Sequence, residues 1–360
     1  MLRPAQLDLS LIGEPLPWDL FTESGVLVAG AGLVIADEAH FLKLLGRPLF
    51  RKLDSGADTN RLLDRLAELS GQAQRLMTSS EDNFDPVALR ALVGDLCAVF
   101  QVDSDACLGY PRLAPLARPS VAHSLHVMFV ALLLADQMEI DDRERECLAG
   151  AALTMNLADL PLHDRLADQS AAPTRDEKQR LFAHPIRSVE RLARAGLNDL
   201  DWLDTVAQHH ENMDGSGYPA GIAGADIRLS ARILRVADTY CAKITGRNYR
   251  PPKSGRFALQ EIFGPERGRL DSQIATLLLR RVGLFPPGTL VKLASRENAC
   301  ITRRGRGGSI RFAVSFMDAR GRPLDPPRER DLTSRTHRLR NVLEVEPAWP
   351  KIDWKHLWGY

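Results

Sequence analysis

The sequence predicts a mainly α-helical protein with a small α+β unit before the helices and a small antiparallel β unit after them. Through the middle of the chain apolar residues recur at helical spacing, as in the stripe Leu62, Leu63, Leu66 and Leu69. After the FPPG segment at residues 285–288, apolar and polar residues alternate in TLVKLAS, ACITRR and IRFAVSFM. GRGGS and DARGR separate these segments and are typical of turns.

The first unit is predicted over residues 1–52. Its segment WDLFTESGVLVAGAGLVI indicates a hairpin that turns at Ser24 and Gly25, and a short helix follows. Asp37 is placed as the N-cap of that helix and Gly46 stands just past its end, which are the usual start and stop signals.

Three further segments complete the predicted organisation. Residues 53–112 form a helical linker region that begins with the polar LDSGAD, residues 113–280 form the large helical domain, and residues 281–360 form a β appendage. The stretch from His123 to Ala135 is apolar nearly all round, which predicts a helix at the centre of a bundle.

Composition excludes several classes of protein. With 44% hydrophobic and 26% charged residues, the chain is typical of a soluble globular protein. A formal net charge of +1 gives no field that would gather DNA or RNA, so a phosphate-bearing ligand would be held by local groups.

No apolar run reaches the roughly 20 residues of a membrane span. Asp8 and Glu14 stand where an export signal would be apolar, and the five cysteines lack CxxC spacing, so we expect a cytoplasmic location.

The most informative segment is QHHENMDGSGYP at residues 208–219. Adjacent histidines at the end of a helix direct two imidazoles about 100° apart, which suits a shared metal ion. Two neighbouring histidines alone are more often a surface accident, and a glycine-rich turn alone is more often a loop. Their combination is far more specific than either part.

HHE-x-x-DGSGYP resembles the signature of the HD-GYP family, a helical branch of the HD superfamily that hydrolyses cyclic di-GMP with two or three bound metals. The resemblance extends over about residues 113–280. It implies metal ligands at His123, His184, His209, His210 and Asp238, and a GYP loop containing Asp214, Gly215, Gly217, Tyr218 and Pro219.

Two arginines, Arg247 and Arg250, match family arginines that face phosphate, for which a guanidinium fork is well suited. Each of these positions also has a simpler interpretation. A single histidine on an apolar helix is more often a hydrogen-bonded core residue, and an arginine pair is more often a solvated face. His126 and His163 match nothing in the family pattern and are interpreted in this simpler way.

The chain departs from the family at its HD-x-GK segment, where Met155 and Asn156 replace the histidine and aspartate and Asp159 stands at the lysine position. The family aspartate bridges two metals as an anionic oxygen donor. An asparagine amide bridges poorly, and a methionine thioether is unsuited to hard or borderline divalent ions. Pro119 also leaves no carboxylate for a third metal.

The literal pair His163-Asp164 is a tempting substitute for the missing dyad. Register favours Asp164 as the aspartate of the family's IPD segment, which makes His163 a coincidence. His184, His209 and His210 then remain for at most about one divalent ion per chain, of the iron, manganese or zinc class, or for none.

We therefore interpret the chain as a degenerate HD-GYP protein of cyclic di-GMP signalling, with weak or absent phosphodiesterase turnover, that acts as a ligand sensor or partner-binding regulator. The resemblance implies cyclic di-GMP as ligand and diguanylate cyclase domains as partners of the GYP loop, and it leaves a homodimer open. One alternative is an active phosphodiesterase that works with one metal. The other is an interaction scaffold that binds neither metal nor nucleotide.

Overall fold

The protein is described by a computed structural model, which covers residues 2–4, 11–16, 19–22, 26–30, 32–46, 49–52, 61–114, 118–138, 140–169, 171–244, 255–305, 310–343 and 353–359. The chain divides into two compact units, Met1–Leu62 and Leu63–Tyr360. The predicted linker LDSGAD and the predicted hairpin turn at Ser24 and Gly25 lie outside the described residues. The finer boundaries placed at residues 112 and 280 remain predictions.

The first unit is a four-stranded antiparallel sheet with one helix. The strands are β1 Leu2–Pro4, β2 Leu20–Phe21, β3 Leu27–Ala29 and β4 Phe50–Lys52, in the order β1-β4-β2-β3. Helix α1 covers Glu38–Leu45, and the Asp37 side chain caps it by accepting a hydrogen bond from the His40 N–H at 2.7 Å. The sequence therefore predicted this helix and both of its ends correctly.

The second unit is mainly helical. Its helices are α2 Leu62–Met77, α3 Pro86–Val102, α4 Ser104–Leu113, α5 Pro119–Ala135, α6 Asp142–Thr154, α7 Leu160–Asp168, α8 Arg175–Arg194, α9 Leu200–Gln208, α10 Leu229–Ile244, α11 Gly255–Phe263 and α12 Ser272–Val282. This confirms the predicted fold class.

Helix α5 lies at the centre of the second unit. It packs against α4, α6, α7, α10 and α12, and every residue from Ser124 to Ala135 is buried. The even distribution of apolar residues in the sequence is explained by this position, since a helix covered on all sides has no polar face. Of the helices in the described ranges, none combines the length and the hydropathy that a membrane crossing needs.

A close contact holds α6 and α9 together. Trp202 of α9 is fully buried, and its indole N–H donates to the Thr154 hydroxyl at 2.9 Å. The ring lies directly over Gly150 of α6, where a Cβ atom would come within 2.0 Å of it. Glycine is required here by the ring, and this packing holds α9 about two turns before His209.

The β appendage is a five-stranded antiparallel sheet in the order β8-β7-β6-β5-β9. Its strands are β5 Thr289–Leu293, β6 Asn298–Ile301, β7 Phe312–Met317, β8 Pro323–Asp331 and β9 Leu339–Leu343. The alternating segments of the sequence correspond to β5, β6 and β7. The sequence did not predict the two edge strands, β8 and β9. Strand β8 reads PLDPPRERD, and its prolines and charges are typical of an edge strand.

The sheet is tied to α4 by charge and by packing. Arg303 donates to Asp103 at 2.5 Å, and Arg304 pairs with Asp105. Gly109 of α4 lies against the Trp358 ring, which a Cβ atom at that position would approach to 2.3 Å. The appendage is therefore a fixed part of the second unit.

Replacing Gly150 with alanine tests the packing that positions α9. The added methyl group overlaps the Trp202 ring, so the free energy of unfolding should fall by about 1–3 kcal/mol. The matched control is Gly94→Ala in α3, where nothing lies within 4 Å of a new Cβ atom. That change should raise stability by about 0.5–1 kcal/mol through helix propensity. Urea denaturation measures both, and equal effects at the two sites would contradict the packing argument.

Candidate metal centre

Two helices bring the histidines of the motif together. Helix α8 begins in a capping box, in which the Thr174 hydroxyl accepts from the Glu177 N–H and the Glu177 carboxylate accepts from the Thr174 N–H. His184 lies in the middle of this helix and is 1% exposed. Helix α9 ends at Gln208, so that His209 caps it and His210 follows in the turn.

The possible ligand atoms of His184, His209 and His210 all lie within 4.8 Å of one another. The ring of His184 is 5.1 Å from the ring of His209 and 5.0 Å from that of His210, measured between centroids. Within the described part of the chain, no other group of three histidine, cysteine, aspartate or glutamate side chains converges in this way.

Backbone carbonyls fix the tautomers of two of these rings. His184 Nδ1 lies 2.5 Å from the Leu181 carbonyl oxygen, and His209 Nδ1 lies 2.6 Å from the Val206 carbonyl oxygen. Each Nδ1 must donate its proton to that oxygen, which leaves the Nε2 lone pair of each neutral ring free. These two Nε2 atoms face each other at 3.1 Å. Two lone pairs at that distance repel unless a cation lies between them, so the rings fit a divalent metal ion.

Burial keeps the cluster neutral. It lowers the pKa of His184, and together with the charge of the neighbouring His184 it lowers the pKa of His209 to about 3. Burial, followed by the charge of His209, also lowers the pKa of His210 well below its ordinary value. Neutral imidazole is the form that binds metals, so the cluster is kept in the form a metal requires.

Asp238 of α10 and His123 of α5 form a second pair beside the cluster. His123 Nε2 and Asp238 Oδ1 are 2.8 Å apart. Burial alone would raise the pKa of the Asp238 carboxyl, but the hydrogen bond and the charge of His123 outweigh it and hold that pKa well below its usual range. The negative charge of this carboxylate also acts on His184 and His209, where it raises the pKa and so opposes the effect of burial. An anionic oxygen donor therefore lies near enough to His184 and His209 to act on them electrostatically.

The GYP loop is folded back on the end of α9. Glu211 is 2% exposed, and its carboxylate accepts from the backbone N–H of Ala220 at 2.7 Å and of Gly221 at 3.2 Å. A Cβ atom on Gly217 would lie 2.3 Å from the Asn212 nitrogen, so only glycine fits there. Asp214 accepts from the Ser216 N–H at 3.0 Å and closes the turn.

Tyr218 of this loop covers the cluster. Its ring stacks on His210 with 4.6 Å between centroids, and on its other side it lies 4.6 Å from Phe182 of α8. Phe182 is 57% exposed. The loop therefore places an aromatic surface between the histidines and solvent.

The segment where the sequence departs from the family lies against α8. Met155, at the end of α6, is fully buried, and Asn156 is 4% exposed. A 3-10 turn at Leu157–Asp159 follows. The Arg191 guanidinium donates to the Leu157 carbonyl at 3.0 Å, and the Ala158 N–H donates to the Ser188 hydroxyl at 3.1 Å. The replaced dyad thus occupies a fixed place next to the helix that carries His184.

Asp159, at the lysine position, is held between two arginines. Its carboxylate is 1% exposed and accepts from Arg187 at 2.7 Å and from Arg180. Both arginines belong to α8, on either side of His184. Two positive charges of the neighbouring helix therefore surround this position.

The structure adds one residue that the sequence interpretation set aside. The His163 ring lies edge-on to the His184 ring with 5.4 Å between centroids. The adjacent His163 and Asp164 in the sequence were the feature that could have indicated this position. Asp164 itself accepts from the Ser120 N–H at 2.8 Å and from Arg118 at 3.1 Å, and so caps the start of α5. His126 is buried in α5, as expected of a core histidine.

Arg247 and Arg250, the arginines predicted to face phosphate, lie outside the described residues.

Comparisons with known proteins agree with this geometry. The profile of the HD domain family matches residues 61–274. The chain is 27% identical over 258 residues to a cyclic di-GMP phosphodiesterase of Pseudomonas aeruginosa, covering 71% of this chain and 62% of that protein. It is 32% identical over 168 residues to the 3'3'-cGAMP-specific phosphodiesterase 3 of Vibrio cholerae, covering 46% and 36%. The chain thus spans less than two thirds of either relative's length.

Among solved structures, the fold is similar to that of Bd1817, an HDG"Y"P protein from Bdellovibrio bacteriovorus. The TM-score is 0.51 with 15% sequence identity, and the match covers 77% of this chain and 98% of that one. At this identity the similarity concerns the fold alone.

Replacing Asp159 with lysine should strongly destabilise the protein, because a third cation would be buried beside Arg180 and Arg187 with no anion between them. We expect a loss of about 3–5 kcal/mol in the free energy of unfolding. The control is Glu190→Lys, the same change of charge at an exposed position of α8, with an expected effect of at most about 0.5 kcal/mol. Denaturation of both variants decides, and a similar small loss in each would show that Asp159 does not anchor the arginines.

Proposed function

Because the chain belongs to the HD domain family, as a member of its HD-GYP group, we propose that it binds a cyclic dinucleotide on a phosphodiesterase scaffold and hydrolyses it weakly or not at all. The observation that carries this proposal is the combination of an intact three-histidine cluster with a replaced dyad. The three histidines that would hold a metal ion are brought together, whereas Met155 and Asn156 stand where the family resemblance places the pair of a two-metal site.

The metal side of the proposal rests on the chemistry of the available donors. His184, His209 and His210 would hold one divalent ion of the iron, manganese or zinc class, with Asp238 and His123 beside it. When bound, such an ion lowers the pKa of a coordinated water. Met155 and Asn156 supply a thioether and a neutral amide, which favour neither a bridge nor a second ion.

The proposed ligand follows from the relatives and from charge. The relatives' names specify cyclic di-GMP in one case and 3'3'-cGAMP in the other, so the ligand class is a cyclic dinucleotide with two phosphodiesters. Arg247 and Arg250 are proposed to contact those phosphates. Binding can persist where hydrolysis fails, because ground-state contacts to phosphate differ from the groups that activate water.

A second candidate function is an active phosphodiesterase that uses one metal ion. The observation that favours it is the set of three neutral imidazoles with an anionic carboxylate nearby, which suffices for one ion with open positions. The scaffold that binds neither metal nor nucleotide has no such support.

A partner such as a diguanylate cyclase domain would meet the GYP loop where Phe182 is exposed beside Tyr218.

The direct test measures binding and turnover separately on the same preparation. Calorimetry with cyclic di-GMP and with 3'3'-cGAMP should show binding of at least one nucleotide, and product analysis after incubation with iron, manganese or zinc should show little or no linear dinucleotide or mononucleotide. Multiple turnovers would establish the one-metal enzyme instead. No binding of either nucleotide at millimolar concentration by the folded protein would leave the interaction scaffold.

Restoring the dyad should raise hydrolysis. The change is Met155→His with Asn156→Asp, and Asp159 is retained because Arg180 and Arg187 depend on it. The double variant offers a second metal an imidazole and an anionic oxygen, so its metal content per chain and its product yield should both increase.

The control for this experiment is Met155→Leu with Asn156→Ala, which alters the same two buried positions without adding a ligand. It should leave both quantities at wild-type levels. If the restored variant folds and takes up a second ion but hydrolyses no more than the wild type, the loss of the dyad does not explain weak turnover.

A further inference from the structure

We propose that Arg180 and Arg187 of α8, held in place by Asp159, form a phosphodiester-binding pair at the candidate metal centre. This inference rests on the proposed function, since it assigns contacts for the ligand of the same site. It gives the cyclic dinucleotide two guanidinium contacts in addition to those proposed for Arg247 and Arg250.

Helical spacing places the two arginines around the metal centre. Arg180 precedes His184 by four residues and Arg187 follows it by three, so all three side chains lie on one face of α8. His184 is the histidine whose Nε2 faces that of His209 at 3.1 Å. Because both guanidinium groups bond the same Asp159 carboxylate, a ligand whose phosphate reaches the metal centre along this face would meet the two arginines together.

Asp159 supplies the positioning. Its buried carboxylate accepts from Arg187 at 2.7 Å through one oxygen and from Arg180 through the other. Asp159 and Arg187 both lie close enough to His184 to shift its pKa, which the carboxylate raises and the guanidinium lowers. The turn that carries Asp159 is itself bonded to α8 through Ser188 and Arg191. The guanidinium groups are therefore held in place before a ligand arrives, which lowers the entropic cost of binding.

Charge distinguishes this arrangement from an ordinary ion pair. Two guanidinium groups share one carboxylate, so the cluster retains one net positive charge. A phosphodiester carries one negative charge and would neutralise it.

The arginines also remain accessible. Their side chains are 49% and 45% exposed for Arg180 and Arg187, whereas the carboxylate between them is 1% exposed. Each guanidinium has five N–H donors, and one from each is given to Asp159 in the hydrogen bonds described above. Donors therefore remain for bidentate contact with phosphate oxygens, the geometry in which arginine surpasses lysine.

The test compares Arg180→Gln and Arg187→Gln with wild type in calorimetric titrations of cyclic di-GMP and of 3'3'-cGAMP. Each substitution should raise the dissociation constant roughly tenfold or more. Because the two nucleotides share their phosphodiesters and differ in a base, the factor should be similar for each nucleotide that the wild type binds. Metal content, measured on the same samples, should not change.

The matched control is Arg194→Gln. Arg194 lies on the same helix and pairs with Glu81 at 2.9 Å, but it is ten residues from His184, roughly 15 Å along the axis. Its replacement should leave affinity unchanged. A double variant, Asp159→Asn with Arg187→Gln, removes the buried charge together with one partner and so guards against misfolding. It should also bind at least roughly tenfold more weakly.

The possible outcomes distinguish a failure of this inference from a failure of the proposed function. If the wild type binds and the folded arginine variants bind equally well, the pair does not contact the ligand, and the proposed function stands. If affinity falls only together with metal content, the arginines act through His184, and the inference is wrong. If the wild type binds neither nucleotide, the proposed function itself fails.

Discussion

The site depends on two imidazoles that face each other across 3.1 Å with their lone pairs directed inward. The Nδ1 atom of each ring donates a hydrogen bond to a backbone carbonyl of its own helix, α8 or α9. Neither ring can therefore relieve the contact by changing its tautomer. The Trp202 ring over Gly150 fixes α9, and the capping box begins α8 at Thr174. A bound metal ion would remove the repulsion that these constraints create.

The surroundings divide binding from bond cleavage. Three converging imidazoles, the Asp238 carboxylate and the half-exposed guanidinium groups of Arg180 and Arg187 are all groups that can hold a metal or a phosphate in the ground state. The pair that the family resemblance assigns to metal bridging is replaced by Met155 and Asn156, both buried. Under the proposed function, groups that are present would recognise the nucleotide, while activation of water would depend on groups that are not. This division is what a sensor or regulator derived from a phosphodiesterase requires.

The sequence predicted what depends on local patterns and missed what depends on contacts distant along the chain. The N-cap at Asp37, the central helix α5 and the alternating strands are local signals, and each was predicted correctly. Strands β8 and β9 were missed because edge strands need no apolar alternation. The motif indicated that His184, His209 and His210 belong together, and the structure brings them within 4.8 Å. It gave no indication that Arg180 and Arg187 would surround Asp159, since helical spacing alone does not show what a helix face meets.

The most direct measurement of the central claim is the metal content of the purified chain after expression with iron, manganese or zinc, compared with that of His209→Gln. The account predicts at most about one ion per wild-type chain, because three imidazoles converge on one point. It predicts that the variant loses this ion, because one of the two facing nitrogens is gone. Two or more tightly bound ions per wild-type chain would contradict it, since other side chains would then replace the missing dyad.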